Sequence, residues 1–201
     1  MSGETEGRRR GRPRTIDRGS VLSGAMQLYW REGVHALSLN EVCRRLSVSK
    51  PFVYREFDDE DGFVVAVLAL YRERVVVPVL DALVTEQACA EVVEMLIAGL
   101  TAPGEHPPGC LFTEMRLIRT TLGPRALACL ESIEDERRRA FAAWYARAQY
   151  NGEVSESVPP DEAASYIDNQ FTLVLIQMGM GAPADLVRAH ARRAMSALGA
   201  A

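Results

Sequence analysis

The residues best placed to do chemistry lie in one short run, ALSLNEVCRRLSVSKPFVYREF, from Ala36 to Phe57. Within it Ser49 is expected to cap a helix whose first positions are Lys50 and Pro51, and proline is tolerated there because first-turn amides have no partner inside the helix. This spacing sets Lys50, Phe52 and Arg55 near the exposed N-terminal end, while Val53 and Phe57, four apart, pack inward. Cationic side chains and unpaired amides at a helix start suit phosphates and base edges. The chemistry is therefore noncovalent recognition of nucleic acid. Nothing else in the chain points to catalysis: His35, His106 and His190 are far apart, and no nucleophile motif, phosphate loop or dinucleotide fingerprint is present. Cys43, Cys89, Cys110 and Cys129 have no metal-ligand spacing. We therefore expect no enzyme, metal site or cofactor. Cys110 is singled out for redox chemistry, since it follows Pro107-Pro108-Gly109 and opens a helix, where a thiol's pKa can fall; plain packing is the alternative.

The elements that must position this segment are short amphipathic helices. Ser38 is expected to cap the first while Glu41 reaches back to it, a Ser-x-x-Glu capping box. Leu39, Val42 and Leu46 then share one apolar face, Leu46 to Val48 make the turn, and a helix-turn-helix results. Upstream, Asp17 to Glu32 reads as a helix with Val21, Ala25, Leu28 and either Tyr29 or Trp30 on its apolar side and Gly33 as its stop. Before that runs a basic arm from Arg8 to Arg14 without apolar periodicity.

Taken together, the Gly-Arg-Pro-Arg start, the glycine after the first helix, Val48-Ser49-Lys50 and Tyr54-x-x-Phe57 resemble the DNA-binding domain of the tetracycline-repressor (TetR) family of bacterial regulators. The resemblance covers about the first third of the chain. It implies an all-α fold, with an N-terminal three-helix helix-turn-helix head on a larger helical ligand-binding and dimerisation body. Residues 1–14 would be a flexible basic arm, 15–60 the DNA-binding domain and 61–201 the effector-binding and dimerisation domain. It implies further that Ser49, Lys50 and Tyr54 touch phosphates, that Pro51 and Phe52 meet thymine methyls, that Arg44 serves either role, and that Arg12 and Arg14 enter the minor groove. Arg55 joins the candidate DNA contacts. Tyr54 as a half-buried core residue and Phe52 packed on the first helix are the alternatives. Three positions depart from the family pattern. Ser47 replaces the usual turn glycine, at a cost of about 1 kcal/mol if the residue is left-handed, and Glu56 and Glu60 put negative charge where the family usually has none. The run Asp58-Asp59-Glu60-Asp61 either weakens DNA binding or caps the next helix.

The chain has 201 residues and a formal charge of −4. Residues 1–57 hold 11 Lys and Arg against 6 Asp and Glu, a net of +5, whereas 58–201 carry 12 against 21, a net of −9. A basic head on an acidic body suits DNA. The longest apolar run, Phe63 to Tyr71, is much too short to cross a bilayer and no apolar stretch follows the N-terminal arginines. We expect a cytoplasmic protein with no membrane partner, its cysteines reduced and buried.

The body reads as helical throughout. Asp61 to about Val84 is expected to kink at Pro78, Ala88 to Leu100 and Cys110 to Thr121 flank a Pro/Gly loop, and a long helix runs from Arg125 to Tyr150 with Arg137, Arg138 and Arg139 toward solvent. Pro160 to Gly179 is apolar around most of its girth, so it must be covered all round, and Ala184 to Leu198 follows. No sequence remains to cover both faces of that pair. A second copy is inferred to do so through Leu173, Ile176, Leu186, His190, Ala194 and Ala197, giving the homodimer that the family resemblance also implies. Two recognition helices related by a two-fold axis would read a palindromic operator on double-stranded DNA. The resemblance adds a small-molecule effector, of apolar or aromatic kind, for which Phe112, Met115, Trp144, Tyr145 and Phe171 are apolar candidates and Arg116, Arg119 and Gln177 polar ones. Family habit favours repression. A sensor of oxidants or electrophiles acting through Cys110, and an architectural DNA-binding protein without an effector, are the other readings.

Overall fold

Asp17 turns the chain into its first helix: in the computed structural model, which describes residues 17–104 and 107–199, its carboxylate accepts from the amides of Gly19 and Ser20. Helix α1 (Arg18–Glu32) buries Val21, Leu22, Ala25, Met26 and both Tyr29 and Trp30, then stops at Gly33, whose φ of 85° suits a residue without Cβ. Helices α2 (Leu39–Leu46) and α3 (Lys50–Phe57) are the expected motif. Ser38 caps α2 through the Glu41 amide. Glu41 does not complete the box, because Arg44 and Arg45, one turn on, hold both its oxygens. Those hydrogen bonds, led by the one from Arg44, hold its carboxyl down at about 2.

Between the two helices Ser47 lies at φ 55° and ψ 39°, left-handed, as the missing turn glycine demands. Its amide still closes the end of α2 on Arg44. The serine keeps the family turn undistorted and bears the steric penalty instead.

The body begins at α4 (Glu60–Tyr71), which packs on α1, α3 and α8. The interruption expected at Pro78 takes the form of a π-helical stretch, Arg72–Val76, followed by the short α5 (Val77–Asp81). Proline has no amide for the Arg74 carbonyl four residues back and its ring would crowd that oxygen. The ladder therefore slips by one residue, and the Val77 amide reaches Arg72 instead. Helices α6 (Cys89–Thr101), α7 (Leu111–Leu117), α8 (Pro124–Tyr150), α9 (Pro160–Gly179) and α10 (Ala184–Ser196) complete the fold. α8 and α9 lie side by side, and α10 packs on α6 and α9. The described residues are all-α, a helix-turn-helix head on a larger helical body. None of these helices is long and apolar enough to cross a membrane.

The acidic run after α3 joins the two parts. Asp59 caps α4 by accepting from the Gly62 amide at 2.8 Å, which is the main reason its carboxyl titrates low. Asp61, within α4, reaches the start of α8, where its two oxygens accept from the Arg125 and Ala126 amides at 2.9 and 3.0 Å and so cap that helix. The Arg125 guanidinium in turn sits among Asp58, Asp59 and Asp61. Gly123 leaves room for this carboxylate, since a methyl there would overlap Asp61.

Replacing Ser47 by glycine should remove the left-handed penalty of about 1 kcal/mol and raise the midpoint of thermal unfolding by about 2–4 °C, read by circular dichroism. A lowered midpoint would mean that the extra freedom glycine has in the unfolded chain outweighs the relief of the left-handed backbone.

Candidate nucleic-acid interface and the cavity behind it

Ser49 caps α3 with its Oγ, which accepts from the Phe52 amide at 3.3 Å, so its hydroxyl proton remains available for a phosphate. Lys50 opens the helix with no ion-pair partner among the described residues, and its Nζ lies 6.0 Å from the centre of the Tyr54 ring. Tyr54 is 43% exposed, and Pro51 beside it is exposed too. Lys50, Pro51 and Tyr54 thus stand together on the open end and face of α3. Phe52 does not join them. It is 8% exposed and belongs to the core of the head, beneath the Arg55 guanidinium at 5.3 Å. Burying a phenyl ring is worth about 2 kcal/mol, more than contact with one methyl group could return, and packing wins. Arg55 is exposed but pairs with Glu56 at 3.0 Å, and Arg44 is exposed but held by Glu41. Both would have to share their carboxylates to meet a phosphate. Arg12 and Arg14 lie outside the described residues. Within the acidic run Asp59 caps the next helix, as the capping alternative expects, Asp61 caps the more distant α8 instead, and Asp58 and Glu60, the latter one of the three departures from the family pattern, remain exposed.

Behind the head lies a cavity of about 600 Å³. Its walls come from both parts of the molecule: Trp30 of α1, Tyr71, Val75 and Val79 around the π stretch, Met95, Leu96 and Leu100 of α6, Pro107 to Cys110, Arg137 and Phe141 of α8, and Phe171, Leu175 and Met178 of α9. Trp30 stands edge-on to Tyr71 with centroids 4.9 Å apart, and its indole Nε1 donates to the Gly109 carbonyl at 3.3 Å. The first helix of the DNA-binding head is therefore part of the cavity wall.

Of the eight side chains expected at an effector, Phe171 lies on this wall. Phe112, Met115, Trp144 and Tyr145 are core residues away from it, and Tyr145 spends its hydroxyl on the Ser155 and Leu198 carbonyls. Arg116 pairs with Glu134 and Asp168, Arg119 with Glu131 and Glu134, and neither lines the cavity; nor does Gln177. Arg137, expected in solvent with its two neighbours, points inward, 12% exposed on its side chain. Its register shows why: Leu130, Ile133, Arg137, Phe141 and Trp144 recur at helical spacing, so 137 falls on the apolar stripe. Val75, Val79 and Met95 carried no comparable signal, because apolar residues on helices serve cavities and cores alike.

Cys110 is buried on the same wall, caps α7 by accepting from Thr113, and lies 3.1 Å from the Tyr71 hydroxyl. Burial first, then the neighbouring thiol, pushes Tyr71 well above the usual phenol range. Burial likewise raises Cys43 and Cys129, and takes Cys89 up to about 11. Among the described residues no group of three or more His, Cys, Asp and Glu could hold a metal ion.

Comparison with known proteins bears on the head first. Residues 21–67 match the family described as bacterial regulatory proteins, tetR family. The HTH-type transcriptional repressor ComR of Escherichia coli K12 is 26% identical over 166 residues, 79% of this chain and 78% of its own. The HTH-type transcriptional activator FasR of Mycolicibacterium smegmatis is 36% identical over 81 residues, 39% of this chain and 37% of its own. Among solved structures, a cysteine mutant of the TetR-family regulator CifR in complex with 26-base-pair operator DNA superimposes with a TM-score of 0.76 at 25% identity, covering 92% of this chain and 99% of that one.

Lys50→Ala should weaken DNA binding at every sequence alike and lower the slope of log affinity against log salt by about 0.9, measured by fluorescence anisotropy across a salt series. An unchanged slope would remove Lys50 from the phosphate contacts.

Proposed function

The chain is a TetR-family DNA-binding transcriptional regulator, and from that premise we propose that it is a repressor that binds a palindromic operator as a homodimer and leaves it when a small molecule fills the cavity. The observation that carries this reading is the shared wall. Trp30 belongs to the head and lines the cavity, so an occupant touches the DNA-binding domain directly. Pressure on Trp30 and Tyr71 acts on α1 of the head and α4 of the body together, and α4 is tied in turn to the start of α8 through Asp61. An occupant changes the equilibrium only through contacts that differ between the bound and released arrangements. A wall built from both the head and the body would supply such contacts if the two arrangements differ in how these parts meet. Repression accords with ComR, a transcriptional repressor similar over 79% of this chain, although FasR is an activator.

Dimerisation is supported by what α9 and α10 leave uncovered. Leu173 is 47% exposed and Leu186 50%, with Ile176 half-buried and His190 and Ala197 exposed nearby in sequence. Apolar residues of this size on adjacent helices form a patch that a second copy would cover in a four-helix arrangement. The two α3 helices of such a dimer would enter successive major grooves.

A second reading rests on the contact between Cys110 and Tyr71 at the cavity wall. The Cys110 sulfur is placed to add to an activated carbon–carbon double bond entering the cavity: the carbon–sulfur bond forms as the π bond breaks, and the thiol proton is lost to solvent while the adjacent carbon takes one up from it. The adduct would then act as the occupant does in the first reading.

Three experiments test these readings. Footprinting on DNA flanking the gene, with excess nonspecific competitor, should show a protected palindrome; protection without boundaries would favour an architectural protein. Leu173→Glu with Leu186→Glu should turn a dimer into a monomer in sedimentation and lower operator affinity by at least about tenfold, since two half-sites no longer act together. If N-ethylmaleimide releases the Cys110→Ser protein from operator DNA as readily as the parent, the cysteine reading fails.

A further inference from the structure

The polar groups of the cavity are few and gathered. Arg137 is the one charged side chain among the described residues of an otherwise apolar wall, and its field is felt at the Tyr71 hydroxyl, which is itself beside the Cys110 thiol. The guanidinium is held rigidly. Its Nε and Nη2 both donate to Oδ1 of Asp168, and its plane lies 5.0 Å from the centre of the Phe112 ring. Nη1 has no hydrogen-bond partner among the described residues.

The charge on Asp168 does not cancel that of Arg137 alone. Its other oxygen accepts from Arg116 at 3.0 Å, so one carboxylate is shared by two guanidiniums, and Arg116 also faces Glu134 at 2.9 Å. Nη1 is not sealed in the core, since Gln27 Oε1 is the one buried side-chain polar atom without a partner among the described residues, so the spare donor stays accessible to an acceptor. Two structural bonds orient it and leave the third position open. A planar anion meets such a donor with charge-assisted hydrogen bonds, which are roughly twice as strong as neutral ones.

Building on the effector reading above, we propose that the cavity takes an amphipathic acid, an aliphatic or aromatic body carrying one carboxylate, with the carboxylate at Arg137 Nη1 and the Tyr71 hydroxyl and the body along α6 and α9. The cavity's volume falls within the range of small-molecule sites. The apolar wall supplies affinity without regard to detail; Arg137 supplies the choice of head group. Asp168 would repel a carboxylate that slid past Nη1, which fixes the depth at which the head group stops. The Arg116 pair behind it keeps Asp168 from turning into the cavity.

Two matched pairs test this by calorimetry on the full chain: decanoate against decanol, and 4-phenylbutyrate against 4-phenylbutanol. At least one acid should bind about tenfold more tightly than its alcohol, the worth of one charge-assisted hydrogen bond. Arg137→Gln should abolish that preference while the alcohol still binds, and Tyr71→Phe should reduce it. Should Arg137→Gln fail to fold, the parent's acid-to-alcohol ratio and the Tyr71→Phe variant decide. Equal binding of acid and alcohol, preference retained in Arg137→Gln, or no binding of any of the four would each overturn the proposal. Operator release is measured in parallel and separates the two readings. An alcohol that binds and releases DNA without an acid preference leaves the effector reading and removes this one, whereas an acid that binds without release does the reverse.

Discussion

Asp61 sits in the first turn of α4 by sequence but caps α8 in space, so one carboxylate ties together two helices of the body beside the point where the head joins it. A helix start presents unpaired amides, and α8 has no capping side chain of its own, since Gly123 precedes it and Pro124 opens it. The body therefore takes its cap from the neighbouring element. Arg125 answers by gathering Asp58, Asp59 and Asp61, so the segment that ends the recognition helix is clasped by the longest helix of the body. These side chains are too exposed for the ion pairs themselves to contribute much stability. Their effect is geometric: Asp58 and Asp59, at the end of the head, are held against the first turn of α8.

Much of this was legible beforehand where the rules are local. The caps at Ser38 and Ser49 and the stop at Gly33 follow from turn and cap chemistry within a few residues, and the left-handed Ser47 from the glycine that the family has there. Helix limits in the body followed from apolar spacing and from Pro and Gly for the same reason. What escaped was set by distant partners. Glu41 was expected to close its own cap, yet two arginines one turn away compete for it and win through charge. Phe52 was expected at the DNA face, and the head's core claimed it.

The cavity was the least legible feature. An aromatic residue on a helix stripe reads the same whether it faces another helix or an empty space, so Trp144 and Tyr145 were reasonable candidates that the core absorbed. Trp30 was hidden differently, because it belongs to the head by sequence and to the cavity by position. Arg137 did leave a trace, one cation on an otherwise apolar stripe, but it stood in a run of three arginines that reads as a solvated face. The slipped ladder at Arg72–Val76 also escaped, since only its cause, Pro78, is visible in the residues and not the way the backbone accommodates it.

The chain holds two tryptophans, and their placement makes the protein its own optical instrument. Trp144 is sealed in the core, while Trp30 lies on the cavity wall, edge-on to Tyr71 and hydrogen-bonded to the Gly109 carbonyl. Indole emission shifts colour with the polarity and hydrogen bonding of its surroundings. Light from one ring would thus stay constant as a built-in reference, while light from the other would change with whatever alters the surroundings of the cavity wall or the position of α1.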